Sequence, residues 1–85
     1  MKIEVFETTI CDFIRSELHG SRNLAALGPG DSLFALGLDS LAVMRIVAFC
    51  EEEFDVAIPD EDLMPDNFEN VQSLARLVVR IKSDK

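Results

Sequence analysis

The chain is short of positive charge. Against 16 Asp and Glu it sets 8 Lys and Arg, for a formal net charge of -8 and an isoelectric point near 4.4. A surface of that sign repels phosphate backbones and anionic lipid, which argues against nucleic acid and membranes as partners. No apolar run approaches the roughly 18 residues of a membrane span. The start, Met1-Lys2-Ile3-Glu4-Val5, lacks the unbroken apolar stretch of a signal peptide. A soluble, cytoplasmic protein is expected. Histidine is reduced to His19 and cysteine to Cys11 and Cys50, in none of the paired spacings that zinc sites use, so no metal site is expected. Both cysteines have apolar neighbours and are expected as buried free thiols of a reducing compartment. Length is scarce as well: 85 residues make one domain, residues 1–85, and 48% hydrophobic content fills one modest core but not the walls of a deep catalytic cleft. There is no β-alternation, internal repeat, low-complexity segment or linker.

What is present is helical periodicity. Ile3, Phe6, Ile10, Phe13, Ile14 and Leu18 recur at the spacing of one helical face and predict a first helix that stops near His19-Gly20. Residues 21 to 38 hold Gly28, Pro29, Gly30 and Gly37 without a period and read as a long loop, tacked across one end of the core by Leu33, Phe34, Leu36 and Leu38. A second helix is predicted from about Ser40 to Phe54, with Asp39 as N-cap and a hydrophobic staple between Leu38 and Val43. Pro59 and Pro65 bracket Asp60-Glu61-Asp62-Leu63-Met64, which could make a helical turn or two. Asn70 caps a last helix whose core face reads Val71, Leu74, Val78 and Ile81, with Arg76, Arg80 and Lys82 toward its C-terminal end. The expected fold is all-α: a four-helix bundle of three main helices, a short third one, and a long loop between the first two.

On a wheel of about 100° per residue, Val43, Ile46, Val47, Cys50 and Phe54 of the second helix fall within an arc about 100° wide, which accounts for the core face. Leu41, Met44 and Ala48 form a second apolar strip, flanked by Glu51 on one side and by Arg45 and Glu52 on the other. Scattered surface apolar residues are normal in a monomer, but a strip at i, i+3, i+7 containing a methionine suits a docking surface. Phe49 and Ala42 point a third way, toward the loop or the short third helix. Nine of the 16 acidic residues lie between positions 51 and 69, and no Lys or Arg occurs from Ile46 through Ala75. Such a run can be solvating charge alone; beside an apolar strip it favours fast, salt-sensitive, weak association with basic enzymes. Asp60 and Asp62 begin the alternation of a calcium loop, but Pro65 stands where that loop needs glycine.

Ser40 opens the second helix. An isolated serine there is most often a cap. A hydrolase would need a positioned base, for which only His19 is available, and Gly37-Leu38-Asp39-Ser40-Leu41 lacks the glycine two residues after serine of a nucleophile elbow. A helix N-terminus does suit an anion, because its free amides and dipole accept a phosphodiester.

The run Phe34-Ala35-Leu36-Gly37-Leu38-Asp39-Ser40-Leu41, the helix ending Glu51-Glu52-Glu53-Phe54, and the following Ile58-Pro59 resemble the acyl carrier and peptidyl carrier protein family across nearly the whole chain. The resemblance implies a non-catalytic carrier in which Ser40 bears 4′-phosphopantetheine, donated from coenzyme A by a phosphopantetheinyl transferase. The arm's thiol would then hold an acyl or aminoacyl cargo as a thioester. Asp39 matches the family aspartate that assists the transferase's metal-bound coenzyme A, and Leu41 and Met44 match positions that partners read. With Arg45, Ala48, Glu51 and Glu52 they make up the expected partner-binding surface. The implied partners are the transferase, an acyl- or aminoacyl-activating ligase, and downstream acyltransferases, synthases or modifying enzymes. Carriers of fatty-acid synthesis place acids just after Asp-Ser-Leu, where this chain has Ala42 and Arg45, so it resembles carriers of peptide, aminoacyl or specialised polyketide pathways. Beginning at Met1 and ending soon after the last helix, it is expected to stand alone as a monomer. The rival expectation is a cofactor-free helical adaptor that uses the Leu41, Met44 and Ala48 strip.

Overall fold

The computed structural model describes residues 2–17 and 27–83. Three α-helices, α1 (Ile3–Glu17), α2 (Ser40–Phe54) and α3 (Val71–Ser83), enclose one core, with no strand among the described residues. The predicted stop at His19-Gly20, and with it Leu18, lies outside the described residues.

The short element predicted between Pro59 and Pro65 is a 3-10 turn, Asp60–Asp62, and a second, separate 3-10 turn, Pro65–Phe68, follows it. Pro65 is the physical reason for the separation: it has no N–H to donate backward and it pushes the preceding residue to extended backbone. Met64 accordingly sits at φ -111, ψ 145. The break leaves Met64 exposed and turns Phe68 into the core.

The core takes Phe6, Ile10 and Ile14 from α1, Val43, Ile46, Val47 and Cys50 from α2, and Val71, Leu74 and Val78 from α3. The buried face of α3 is wider than its period suggests, since Ala75 and Leu77 are also buried and Ile81 is only half-buried. That helix packs against both α1 and the second 3-10 turn, so two of its sides are covered. The Asn70 carboxamide caps it, accepting the Ser73 N–H at 2.8 Å.

The long loop is fastened by backbone as well as by side chains. Leu33 N–H donates to Glu69 O at 2.8 Å and Gln72 N–H to Pro29 O at 2.9 Å, which ties the loop to the start of α3. Leu33 and Leu38 are buried as expected and Leu36 half-buried, but Phe34 is 46% exposed. Gly37 turns the chain into α2 at φ 92, a left-handed value that glycine adopts without steric strain.

Phe49 also departs from expectation. Instead of meeting the loop or the third element, its ring stacks on Phe13 of α1, with centroids 4.1 Å apart and planes 16° apart. Phe54 closes the group edge-on, 4.8 Å from Phe6 and 6.3 Å from Phe49. Aromatic pairs of this kind add roughly 0.5–1.5 kcal/mol beyond the area they bury, and here they clamp α1 to α2.

Cys11 and Cys50 are both buried and free. Burial pushes both thiols up, Cys50 from the ordinary 9.0 to about 12. The folded chain therefore keeps the Cys50 proton where the unfolded chain loses it. Stability on this account falls as pH rises from about 9 toward 12, by up to about 1.4 kcal/mol per pH unit for that thiol. A thiol reagent should find almost nothing to react with in the native, unmodified protein and two groups in denaturant. A fast-reacting native thiol would show that one of the two sites opens.

Candidate functional site

Ser40 is placed by its neighbours. Asp39, with extended backbone at φ -90 and ψ -178, is the N-cap of α2, and its Oδ1 accepts the Ala42 N–H at 2.9 Å. Its carbonyl accepts the first helical bond, from Val43 N–H at 3.0 Å. Leu38 and Val43, at the two staple positions either side of the cap, are both buried in the one core cluster, as a staple that fixes the helix's entry angle requires. Ser40 is thus the first helical residue on a rigid mount. It is exposed, and its hydroxyl makes no hydrogen bond among the described residues. The cap is supplied by Asp39, so the serine is free for another role.

The Ser40 and Leu41 amides have no acceptor among the described residues, and they point with the positive end of the helix dipole toward the space around Ser40. A phosphate joined to the hydroxyl would meet these donors, and an enzyme approaching from solvent could reach the oxygen. The position therefore fits a phosphodiester-linked group. Beside it lies an apolar cleft of about 160 Å³, formed by Phe34, Val43, Met44, Leu63, Pro65 and Phe68 together with Ser40. Of these, Phe34, Leu63, Pro65 and Phe68 are missed by the reading of the sequence alone. The one available signal was the pair of apolar groups bordering polar turns, Phe34 before the glycine and Leu63-Met64-Pro65 after the acids.

The positions expected to face partners divide. Leu41 is 73% exposed and Met44 47% exposed, and Arg45, Ala48 and Glu52 are exposed on the same side of α2. Glu51 behaves differently: it is half-buried, and its Oε2 accepts the Ile58 N–H at 2.9 Å, so the carboxylate secures the chain after α2. His19, the only candidate base for a hydrolase, lies outside the described residues. No group of three or more metal-ligating side chains occurs among the described residues, and no described helix is long and apolar enough to cross a membrane.

The Asp39 cap gives a separable prediction. Asp39→Asn retains a capping oxygen and should leave stability within a few tenths of a kcal/mol, whereas Asp39→Ala should lose about 1 kcal/mol in a urea titration. Equal losses for the two would show that the negative charge, rather than the cap bond, stabilises the helix start.

Residues 8–78 match the family described as the phosphopantetheine attachment site. Aminoacyl carrier protein 1 of Bradyrhizobium diazoefficiens is 30% identical over 70 residues, 82% of this chain and 78% of that protein. Aminoacyl carrier protein 2 of the same organism is 26% identical over 73 residues, 86% of this chain and 82% of that protein. Among solved structures, the chain is similar to one in a crystal structure of the Bradyrhizobium japonicum glycine:[carrier protein] ligase with its cognate carrier protein and a glycyl adenylate analogue. That likeness has a TM-score of 0.72 and 28% identity, and covers 87% of this chain and 96% of the other.

Proposed function

This chain belongs to the phosphopantetheine attachment-site family of carrier proteins, whose prosthetic group is covalently attached 4′-phosphopantetheine, and on that premise we propose that Ser40 is the attachment residue of an aminoacyl carrier. When bound, the arm supplies a thiol that holds the cargo as a thioester. The remainder is the work of this chain's residues. Ser40 offers an unencumbered hydroxyl on a fixed mount, and the two free amides of α2 face the phosphate position. Asp39 holds the helix start and, being exposed, is open to an arriving transferase. Leu41, Met44, Arg45, Ala48 and Glu52 form the surface that successive enzymes grip.

The observation that carries this is the exposed, unbonded hydroxyl of Ser40 next to a cap made by a different residue. The aminoacyl cargo and a loading ligase are supported by the two aminoacyl carrier relatives and by the ligase-bound carrier of similar fold. The neutral and basic residues Ala42 and Arg45, where fatty-acid carriers have acids, favour the same class. Weak docking lets the carrier pass from one enzyme to the next, while the tether keeps the cargo concentrated at each.

The test is to recover the protein from its native host and release its thioester with hydroxylamine. An aminoacyl hydroxamate, with the freed thiol arm left on the peptide that contains Ser40, is the expected result. A long fatty acyl group would overturn the aminoacyl assignment, and an adduct on another residue would overturn the assignment of Ser40. A cofactor-free adaptor, by contrast, predicts no adduct and a silent Ser40→Ala substitution.

A further inference from the structure

The outermost line of α2 has a charge order of its own. At about 100° and 1.5 Å per residue, Leu41, Arg45, Ala48 and Glu52 fall within about 60° of one another and span roughly 16 Å along the axis. All four are exposed. From the Ser40 end outward the ridge reads apolar, cationic, small, anionic.

Arg45 is the only Lys or Arg between Arg22 and Arg76. It stands just ahead of the acidic run of positions 51 to 69 and yet has no ion pair or hydrogen bond among the described residues, whereas Arg15 pairs with Asp12 and Arg80 with Asp62. The helix denies it a partner: the positions three and four residues away on either side are Leu41, Ala42, Ala48 and Phe49, none of them acidic. Arg45 and Glu52 instead stand on the border of one open groove of about 280 Å³, whose other walls are Phe13, Ala48 and Phe49. The stacked Phe13 and Phe49 rings hold that apolar floor in place.

Resting on the carrier assignment above, we infer that this ridge and groove select loading enzymes whose docking surface has mixed sign: a carboxylate opposite Arg45, an apolar side chain over Ala48 and the Phe13–Phe49 pair, and a Lys or Arg opposite Glu52. A uniformly basic patch, which the net charge of -8 would otherwise attract, sets a cation against Arg45. Like-charge contact is a means of rejecting wrong partners as well as a lost attraction. The net charge gathers basic enzymes from a distance, and Arg45 discriminates among them at contact.

The test uses the isotope-labelled full chain and three short helical peptides that share an apolar residue on one face. One flanks it with a Glu on one side and a Lys on the other, one with two Lys, and one with two Glu. Amide shifts are followed at about 0.15 M salt, where screening over about 8 Å suppresses the distant charges. The mixed peptide should move the amides of Leu41, Arg45, Ala48, Phe49 and Glu52 and bind on the order of three- to tenfold more tightly than the two-Lys peptide, as expected for one exposed attraction gained and one repulsion removed. Arg45→Glu should reverse that order. A two-Lys peptide that binds the wild-type ridge as tightly as the mixed one, or three peptides that leave those amides unmoved, would overturn the inference. Attachment of phosphopantetheine at Ser40 is read by mass without any peptide, so failure of the carrier assignment appears separately.

Discussion

A Ser40→Ala variant is expected to accept no phosphopantetheine, and therefore no cargo, while unfolding at the same denaturant concentration as the wild type. Both halves come from the same geometry. The hydroxyl has no hydrogen-bond partner among the described residues and the side chain is exposed, so its removal breaks no internal contact. Asp39, not Ser40, caps α2. Alanine is also a good residue in a first helical turn, and the change in stability should stay within about 0.5 kcal/mol. The loss of modification should be complete: Ser32 also lies in an Asp-Ser-Leu run, but it is half-buried outside any helix and its Oγ accepts the Ala35 N–H at 3.3 Å, and Ser73 has no Asp-Ser-Leu run around it. Counting reactive thiols after treatment with coenzyme A and a transferase checks this: one new native thiol in the wild type, none in the variant. A new thiol in Ser40→Ala would place the arm elsewhere, and a melting variant would mean that the hydroxyl serves the fold.

The second large effect is on stability. Ile46→Ala is expected to lose about 2–5 kcal/mol, as truncations at fully buried positions do when the surroundings cannot close over the hole. Ile46 has no exposed surface and lies on the core face of α2. A domain of this length has a total stability of only about 4–13 kcal/mol, so the loss is a large share of the whole and the urea midpoint should fall well below that of the wild type. Leu41→Ala is the control. It removes the same kind of apolar side chain from the same helix at a position 73% exposed, and should stay within about 0.5 kcal/mol. Urea midpoints for the pair decide the matter: similar losses would mean that Leu41 is packed and the exposed strip does not exist.

The helices could be read from the sequence because their cause is local. Apolar residues at the spacing of one face, an aspartate before Ser40, an asparagine before Val71 and the Leu38–Val43 staple act within one or two turns, and the structure places each where that logic puts it. The exposed strip could be found for the same reason, since the wheel fixes Leu41, Met44 and Ala48 opposite the core face. What escaped depends on the other side of the contact. Whether Leu33 or Phe34 turns inward cannot follow from a loop without a period; it is decided by the backbone bond from Leu33 to Glu69. Phe49 faces α1 because Phe13 waits there, a meeting of residues far apart in the chain. Glu51 belongs to an acidic run that reads as solvent-facing, yet it binds an amide seven residues on. The 3-10 turns are intermediate: Pro65 forbids one continuous helix, but how the broken segment settles depends on burying Phe68. The cleft beside Ser40 was hidden because it is assembled from the loop, α2 and both turns at once.

The most direct test is the intact mass of the wild-type protein after incubation with coenzyme A and a promiscuous phosphopantetheinyl transferase, followed by mapping of the modified peptide. A gain of one phosphopantetheine group, located on Ser40, is the predicted result. A wild-type chain that stays unmodified while the same transferase converts a control carrier would contradict the account.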